Sequence, residues 1–381
     1  MAHSPPGNTS TNSPTTARAR AAKRRPSEHP VVTILGLGQM GLVCAGVLSA
    51  PENGGAVGDG LARPVRVRMW GHSPDEAGLL AQSRRSPRLD GFVLPASVEV
   101  ALRDEAALAE TSLIVSAVPV QFMREAWTRL APLVPEGVPV VSVAKGIETS
   151  TLLRPTQVIA DVLRQAGREG HKGRARSYAC LSGPTIAAEL ARCLPAAMIA
   201  ASDDAALAGS VQRLFGCSWM RVYTHTDVIG VELAGATKNV IAIAAGVIDG
   251  LRAGYNAKSA LLARGLAEIT RLGVALGARP DTFFGIAGVG DLATSCFSPE
   301  GRNRSCGEAL GRGQTLAEHL ASIPFVVEGV ETTKAVRALA RAHGVDVPII
   351  DAVHGVLFEN LDPIDAIGGL MAREPKPERI G

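Results

Sequence analysis

From Val31 onward the chain alternates between two patterns. Short runs rich in β-branched residues (31–35, 65–70, 112–118, 138–144, 178–182, 196–201 and 220–224) are separated by Ala-rich stretches of helical character. That alternation predicts βαβ units around a parallel sheet. After about Thr226 the β-runs stop, and long small-residue stretches at 228–249, 257–276 and 331–343 predict helices. The expected organisation is therefore an arm over residues 1–29, an α/β unit over 30–225 and a helical unit over 226–381. No repeat at solenoid spacing and no heptad run interrupts it.

Composition narrows the class. With 381 residues, 46% hydrophobic and 20% charged, the chain has ample length for two domains and their cores. No unbroken apolar run approaches the roughly 18 residues of a membrane span. Six scattered cysteines without C-x-x-C or metal-ligand spacing predict reduced thiols in a cytoplasmic protein, with neither structural zinc nor disulfides.

The net charge of +3 belongs to the arm. Residues 1–29 hold five basic side chains and one acid, leaving 34 basic against 35 acidic side chains in the remainder. A near-neutral body argues against a nucleic-acid partner. The arm itself, rich in Ser, Thr, Pro and Arg, is expected to be disordered. It shares its early lack of acids with organelle transit peptides, but Pro5, Pro6 and Pro14 oppose an amphipathic helix. Between the first helix and the second strand, the Gly-rich stretch Pro51 to Pro64 predicts a flexible surface loop.

The first chemistry-bearing motif follows the first strand. Val31 to Leu35 runs into Gly36-Leu37-Gly38-Gln39-Met40-Gly41, and Leu42 to Ala50 continues as a helix. In such a G-x-G-x-x-G turn, Gly36 permits the tight bend, Gly38 lets backbone approach a pyrophosphate, and Gly41 lets helix and strand pack closely. Strand, turn and helix in the first position of a βαβ series predict a Rossmann-type dinucleotide-binding domain, with the helical domain after it.

The second strand ends Trp70-Gly71-His72-Ser73. NAD-selective sites place an acid there for the ribose, whereas Asp75 and Glu76 already suit a helix start behind Ser73 and Pro74. With His72 able to face a 2′-phosphate, NADP is expected to be accepted alone or beside NAD. A solvent-exposed loop histidine with no such role is the alternative.

Lys238 follows in the helical unit. Its neighbours three and four residues away are Ala234, Gly235, Ile241 and Ala242, a small apolar face on which a lysine loses hydration and becomes a candidate general base. The alternative is a lysine snorkelling at the edge of a buried helix. Lys145 follows a strand, at the edge where open α/β sheets bind ligands. Ser182-Gly183-Pro184-Thr185 closes another strand and offers backbone N–H groups and a hydroxyl. Together with Asp291, Gly301, Arg302, Asn303 and Arg304, these residues suit a phosphorylated substrate.

At this point the sequence resembles a known family. The residues that carry the likeness are Gly36 to Gly41, Trp70-Gly71-His72, Ala144-Lys145-Gly146, Ser182 to Thr185, Gly235 to Ile243, Arg264 to Glu268, Gly290-Asp291-Leu292, Arg302-Asn303-Arg304 and Val326 to Gly329. They look like the ordered motifs of NAD(P)-dependent glycerol-3-phosphate dehydrogenases, over about residues 31–360. The resemblance implies interconversion of sn-glycerol 3-phosphate and dihydroxyacetone phosphate, supplying phospholipid synthesis, in a homodimer.

It also implies roles. Lys238 resembles the proton acceptor at the C2 hydroxyl, with Lys145 and Asp291 around the substrate. Gly183, Thr185, Gly301, Arg302 and Asn303 resemble substrate-binding positions. Gln39, Met40, His72, Lys145, Ala187, Arg302, Val326 and Glu328 match cofactor-lining positions. Gly301 stands where the family commonly has Ser, and Ser295 where Thr is usual. A β-hydroxyacid dehydrogenase, whose glycine loop is similar, and a non-catalytic dinucleotide sensor are the competing readings.

Overall fold

The structure, a computed structural model, describes residues 1–3, 29–50, 64–171, 174–375 and 377–378. The arm expected at 1–29 and the Gly-rich stretch expected at 51–64 lie almost wholly outside these residues.

Among the described residues each of the seven expected runs contains a strand, and three short strands that the pattern did not show join them. In order they are β1 Val31–Leu35, β2 Arg66–Trp70, β3 Glu99–Ala101, β4 Thr111–Ser116, β5 Val140–Ser142, β6 Gly170–His171, β7 Arg174–Ala175, β8 Tyr178–Ser182, β9 Ala196–Ala201 and β10 Met220–His225. The helices packed around the sheet are α1 Gln39–Ser49, α2 Pro74–Ser83, α3 Asp104–Leu108, α4 Val120–Leu130, α5 Pro155–Gln165, α6 Ala187–Ala191 and α7 Ala205–Phe215. The helical region contains α8 Val228–Gly250, α9 Gly254–Ala275, α10 Asp291–Phe297, α11 Arg302–Gly311, α12 Leu316–Ala321, α13 Glu328–Ala342, α14 Pro348–Phe358 and α15 Pro363–Met371.

Eight strands form one sheet in the order β10-β9-β8-β5-β4-β1-β2-β3. β1 is buried at every position, as a central strand covered on both faces must be. One apolar layer, including Ile34, Leu42 and Met69, packs beneath α1; the other, including Leu35, Trp70, Ile114 and Trp127, packs beneath α4 and α5.

The expected parallel sheet carries one antiparallel pairing. β9 pairs antiparallel with β8, and β10 parallel with β9, so the last two strands run against the rest. Consequently β10 ends at the amino edge of the other strands. α8 starts there and runs back along β8: Val231 packs with Cys180, and Gly235 comes up against Ser182 and Lys145.

Helix boundaries moved modestly. The expected 228–249, 257–276 and 331–343 are Val228–Gly250, Gly254–Ala275 and Glu328–Ala342. The other helices beyond Gly290 have six to eleven residues, too short for their own periodicity to announce them, and are held by packing rather than propensity. Among the described helices only α8 is long and apolar enough to cross a bilayer, and 89% of its most apolar window is buried inside the protein.

α8 and α11 approach through glycine. A methyl group on Gly246 would stand 1.9 Å from Arg304 O, and one on Gly307 would stand 1.9 Å from Ile243 O. This contact brings the start of α11, with Arg302 and Asn303, beside the middle of α8.

Candidate active site

The chain leaves β1 for β2 and β3 on one side, then returns to β4, β5 and β8 on the other. The carboxyl ends of β1 and β4 therefore flank the topological switch point, where open α/β sheets bind ligands.

The glycine turn sits there. Gly36 has φ of +119°, and a side chain on it would strike Ala117 O at 2.7 Å, while one on Gly41 would strike Gly36 O at 2.1 Å. Gly38 differs, because a Cβ there meets nothing within 4 Å. The first turn of α1, with Gln39 and Met40, has no side-chain cap and no acid. Open space over Gly38 and uncapped amides fit a dinucleotide pyrophosphate. Phe122, in the first turn of α4, is half exposed.

At the end of β2 the expected helix start is present: Ser73 Oγ accepts from Glu76 N, and Glu76 pairs with Arg88 at 2.6 Å. The corner is not free of acid, however. Asp104, from α3, accepts Trp70 Nε1 at 2.9 Å and is gripped by Arg129, which also donates to His72 O at 3.2 Å. Burial works against the Asp104 carboxylate, but Arg129 and Trp70 outweigh it and hold its pKa below the usual range. The acid near the ribose corner is thus already paired by Arg129, 5.4 Å from the centre of the Trp70 ring.

The second cluster centres on Asp291. Its Oδ1 accepts Lys238 Nζ and its Oδ2 accepts Lys145 Nζ, each at 2.6 Å, and it is 1% exposed. Lys145 also donates to Gly183 O at 2.9 Å and to Thr185 Oγ1 at 3.1 Å; Lys238 also donates to Ser295 Oγ at 2.6 Å. The stem of Lys238 rises from the small apolar face foreseen in the sequence, but its ammonium enters a polar junction.

The backbone builds this junction. Lys145 leaves the loop after β5, and Gly146 follows with φ of +137°. Gly183 has φ of +133°, and a side chain there would press on Ala197 O. A Cβ on Gly235 would stand 3.1 Å from Ser182 Oγ and 3.4 Å from Lys145 Cγ, so its glycine gives Lys145 room to cross α8. Among the described residues nothing pairs with Ser182 Oγ, which is buried there. Burial pushes the Lys145 ammonium down to about 8; Asp291 opposes the shift and Lys238 reinforces it.

A third group lies alongside. Asn303 donates to Asn239 Oδ1 at 2.9 Å and accepts Gly329 N at 2.8 Å, and Arg302 reaches Val326 O at 3.1 Å. Asn239 points its amide at Glu328, 3.5 Å away. Arg302, Asn303, Val326 and Glu328 are thus gathered at the starts of α11 and α13, next to Lys238 in sequence through Asn239. Ala187 opens α6, and His72 follows the end of β2, its carbonyl accepting from Arg129. A Cβ on Gly301 would lie 3.3 Å from both Ser295 O and Ser298 O, so the missing serine hydroxyl is accompanied by a tight backbone turn.

Residues 31–208 match the family model of the NAD-dependent glycerol-3-phosphate dehydrogenase N-terminus, and residues 227–368 match that of its C-terminus. A glycerol-3-phosphate dehydrogenase (NAD(P)+) of Pelotomaculum thermopropionicum is 45% identical over 81% of this chain and 86% of its own. One from Salinibacter ruber is 46% identical over 82% of this chain and 89% of its own. The crystal structure of glycerol-3-phosphate dehydrogenase from Coxiella burnetii superposes with a TM-score of 0.81 at 33% identity, covering 91% of this chain and 99% of that one.

Proposed function

Because the chain belongs to the NAD-dependent glycerol-3-phosphate dehydrogenase family, we propose that the Asp291 junction is where sn-glycerol 3-phosphate and dihydroxyacetone phosphate interconvert. The chain is an NAD(P)-dependent oxidoreductase acting on a CH–OH group. The β-hydroxyacid and sensor alternatives give way to the family match. The observation that carries the placement is the pair of lysines on one buried carboxylate, each at 2.6 Å.

Gly36, Gly38, Gln39, Met40 and Gly41 cradle the pyrophosphate, with His72, Ala187, Val326 and Glu328 along the rest of the dinucleotide. The nicotinamide, when bound, supplies the hydride in reduction and takes it in oxidation. Lys238 handles the proton. In reduction its Nζ–H protonates the oxygen on C2 as the carbonyl becomes an alcohol, and in oxidation neutral Lys238 removes that proton. Asp291 and Ser295 fix its direction. Lys145, Gly183, Thr185, Arg302 and Asn303 bind and orient the phosphorylated substrate, with Arg302 also reaching the cofactor. Positioning and acid–base catalysis then lower the barrier together.

In this reading residues 30–225 hold the cofactor, and residues 226–381 provide most of the catalytic groups. The working form is a cytoplasmic homodimer that supplies glycerol 3-phosphate for phospholipid synthesis. The apolar side chains of Ile364 and Met371, exposed on α15, are candidates for burial by the second copy.

The test is loss of nicotinamide absorbance with dihydroxyacetone phosphate and either NADPH or NADH. Lys238→Ala should lower kcat by roughly 10² to 10⁴. Near-normal turnover by that variant would remove Lys238 from the proton step.

A further inference from the structure

Beyond the Asp291 junction, the far end of α8 holds a second ionic cluster. Asp249 lies eleven residues after Lys238, about 16 Å further along the helix. It accepts Lys258 Nζ at 2.9 and 2.7 Å and Arg304 Nε at 2.6 Å. Lys258, on α9, is 4% exposed, and its ammonium stands 4.8 Å from the centre of the Phe297 ring. Arg304 turns its other face to Glu308 at 3.3 Å.

A buried ion pair is a poor way simply to glue helices, since apolar residues of the same volume often do as well or better. What it adds is direction. Phe297 ends α10, the helix whose Asp291 and Ser295 hold Lys238. Arg304 lies in the first turn of α11, two residues after Arg302 and next to Asn303. Only Ser298 to Gly301 connect these helices. Lys258 therefore grips both ends of that connection, touching Phe297 directly and Arg304 through the shared Asp249.

We propose that Lys258 is a positioning residue for the reaction. Through Phe297 on one side and Asp249 with Arg304 on the other, it sets the spacing between the groups that hold the proton-transferring lysine and the groups that bind the substrate phosphate. The proposal rests on the roles assigned above to Lys238 and Arg302. A gap that opens by a fraction of an ångström between them weakens simultaneous engagement of the phosphate and C2.

The experiment is steady-state kinetics of the intact enzyme with dihydroxyacetone phosphate and NADPH, alongside NADPH binding by fluorescence and thermal unfolding. Lys258→Met should raise KM for dihydroxyacetone phosphate roughly tenfold and lower kcat by about 10- to 100-fold, with NADPH affinity unchanged. Lys258→Arg keeps a cation against Asp249 and the ring, and should recover both constants to within about threefold of the parent. Phe297→Leu leaves the Asp249 pair whole and should shift KM the same way by a smaller factor.

Unchanged kinetic constants in Lys258→Met, or a fall in Tm with normal constants per folded molecule, would overturn the proposal. So would failure of Lys258→Arg to recover activity. If Lys258→Met does not fold, Phe297→Leu decides, and an unchanged KM there counts against it. A parent enzyme that does not reduce dihydroxyacetone phosphate would instead sink the underlying reading, a result visible before any variant is made.

Discussion

At the scale of single residues, two lysines that look alike in the sequence face different constraints. Lys145 is squeezed between the sheet edge and α8, where burial brings its pKa to about 8 from an ordinary 10.5. Below pH 8 it is charged in both folded and unfolded chains. Between about 8 and 10.5 the unfolded chain holds a proton that the folded site has released, so this group's contribution to stability rises with pH across that window. The expected signature is a slope in stability against pH that Lys145→Met abolishes, measured by denaturant unfolding of the cofactor-free protein. If Lys145 holds the substrate by its charge, as proposed, KM for dihydroxyacetone phosphate rises above pH 8; a flat KM from pH 7 to 9.5 would show that its charge is not used.

Lys238 was legible because its helical neighbours are all small or apolar, a pattern contained within a few residues. Its partner was not legible as a partner. Asp291 lies 53 residues away, and only the folded chain shows one carboxylate shared by Lys238 and Lys145. The same holds at the ribose corner, where the sequence after β2 lacks a free acid, yet Asp104 arrives from α3 with Arg129 already attached.

Among the elements, the glycines of α8 and α11 do the most to assemble the site. Gly246→Ala would force its methyl onto Arg304 O, 1.9 Å away. The helices must part, at a cost of roughly 1–3 kcal/mol or more. Because α11 carries Arg302 and Asn303, the loss of Tm should come with a raised KM for dihydroxyacetone phosphate; a lower Tm with unchanged KM would disconnect this packing from substrate binding.

Glu268 of α9 does comparable work elsewhere, accepting Ile349 N at 3.0 Å and Ile350 N at 2.9 Å at the start of α14. Burial lifts its pKa to about 7, against the opposing effect of those two bonds. The folded state then holds an extra proton between about pH 4.5 and 7, so this group's contribution to stability falls as pH rises through that window. Glu268→Gln should remove this decline, seen as a flatter dependence of Tm on pH than in the parent; an equal slope in both would place the titration elsewhere.

For the molecule as a whole, the strands were readable because β-branched runs announce themselves locally. Their direction was not. The runs at 196–201 and 220–224 would look the same in either orientation, and the reversal of β9 and β10 is settled by how the chain packs after β8. The short helices beyond Gly290 were hidden for a related reason, since the core they cover determines them more than their own sequence.

That core also sorts the thiols. Cys44, Cys180, Cys296 and Cys306 are buried, which raises each thiol's pKa, whereas Cys193 is exposed and Cys217 intermediate. A thiol reagent should label Cys193 fastest and reach the buried four only on unfolding. Rapid labelling of Cys296 in the native protein would mean that α10 opens readily.

The reversal of β9 and β10 also makes α8 a ruler. The helix starts at one edge of the sheet and must arrive at the other with Lys238 turned toward Asp291, and each added or lost residue before Lys238 rotates that lysine by about 100°. Substitutions along the helix alter fit by degrees, but a single insertion or deletion between Val228 and Lys238 turns the lysine away from its carboxylate in one step. Over those ten positions the chain, outside Gly230 and Gly235, bears a change of letter more easily than a change of number.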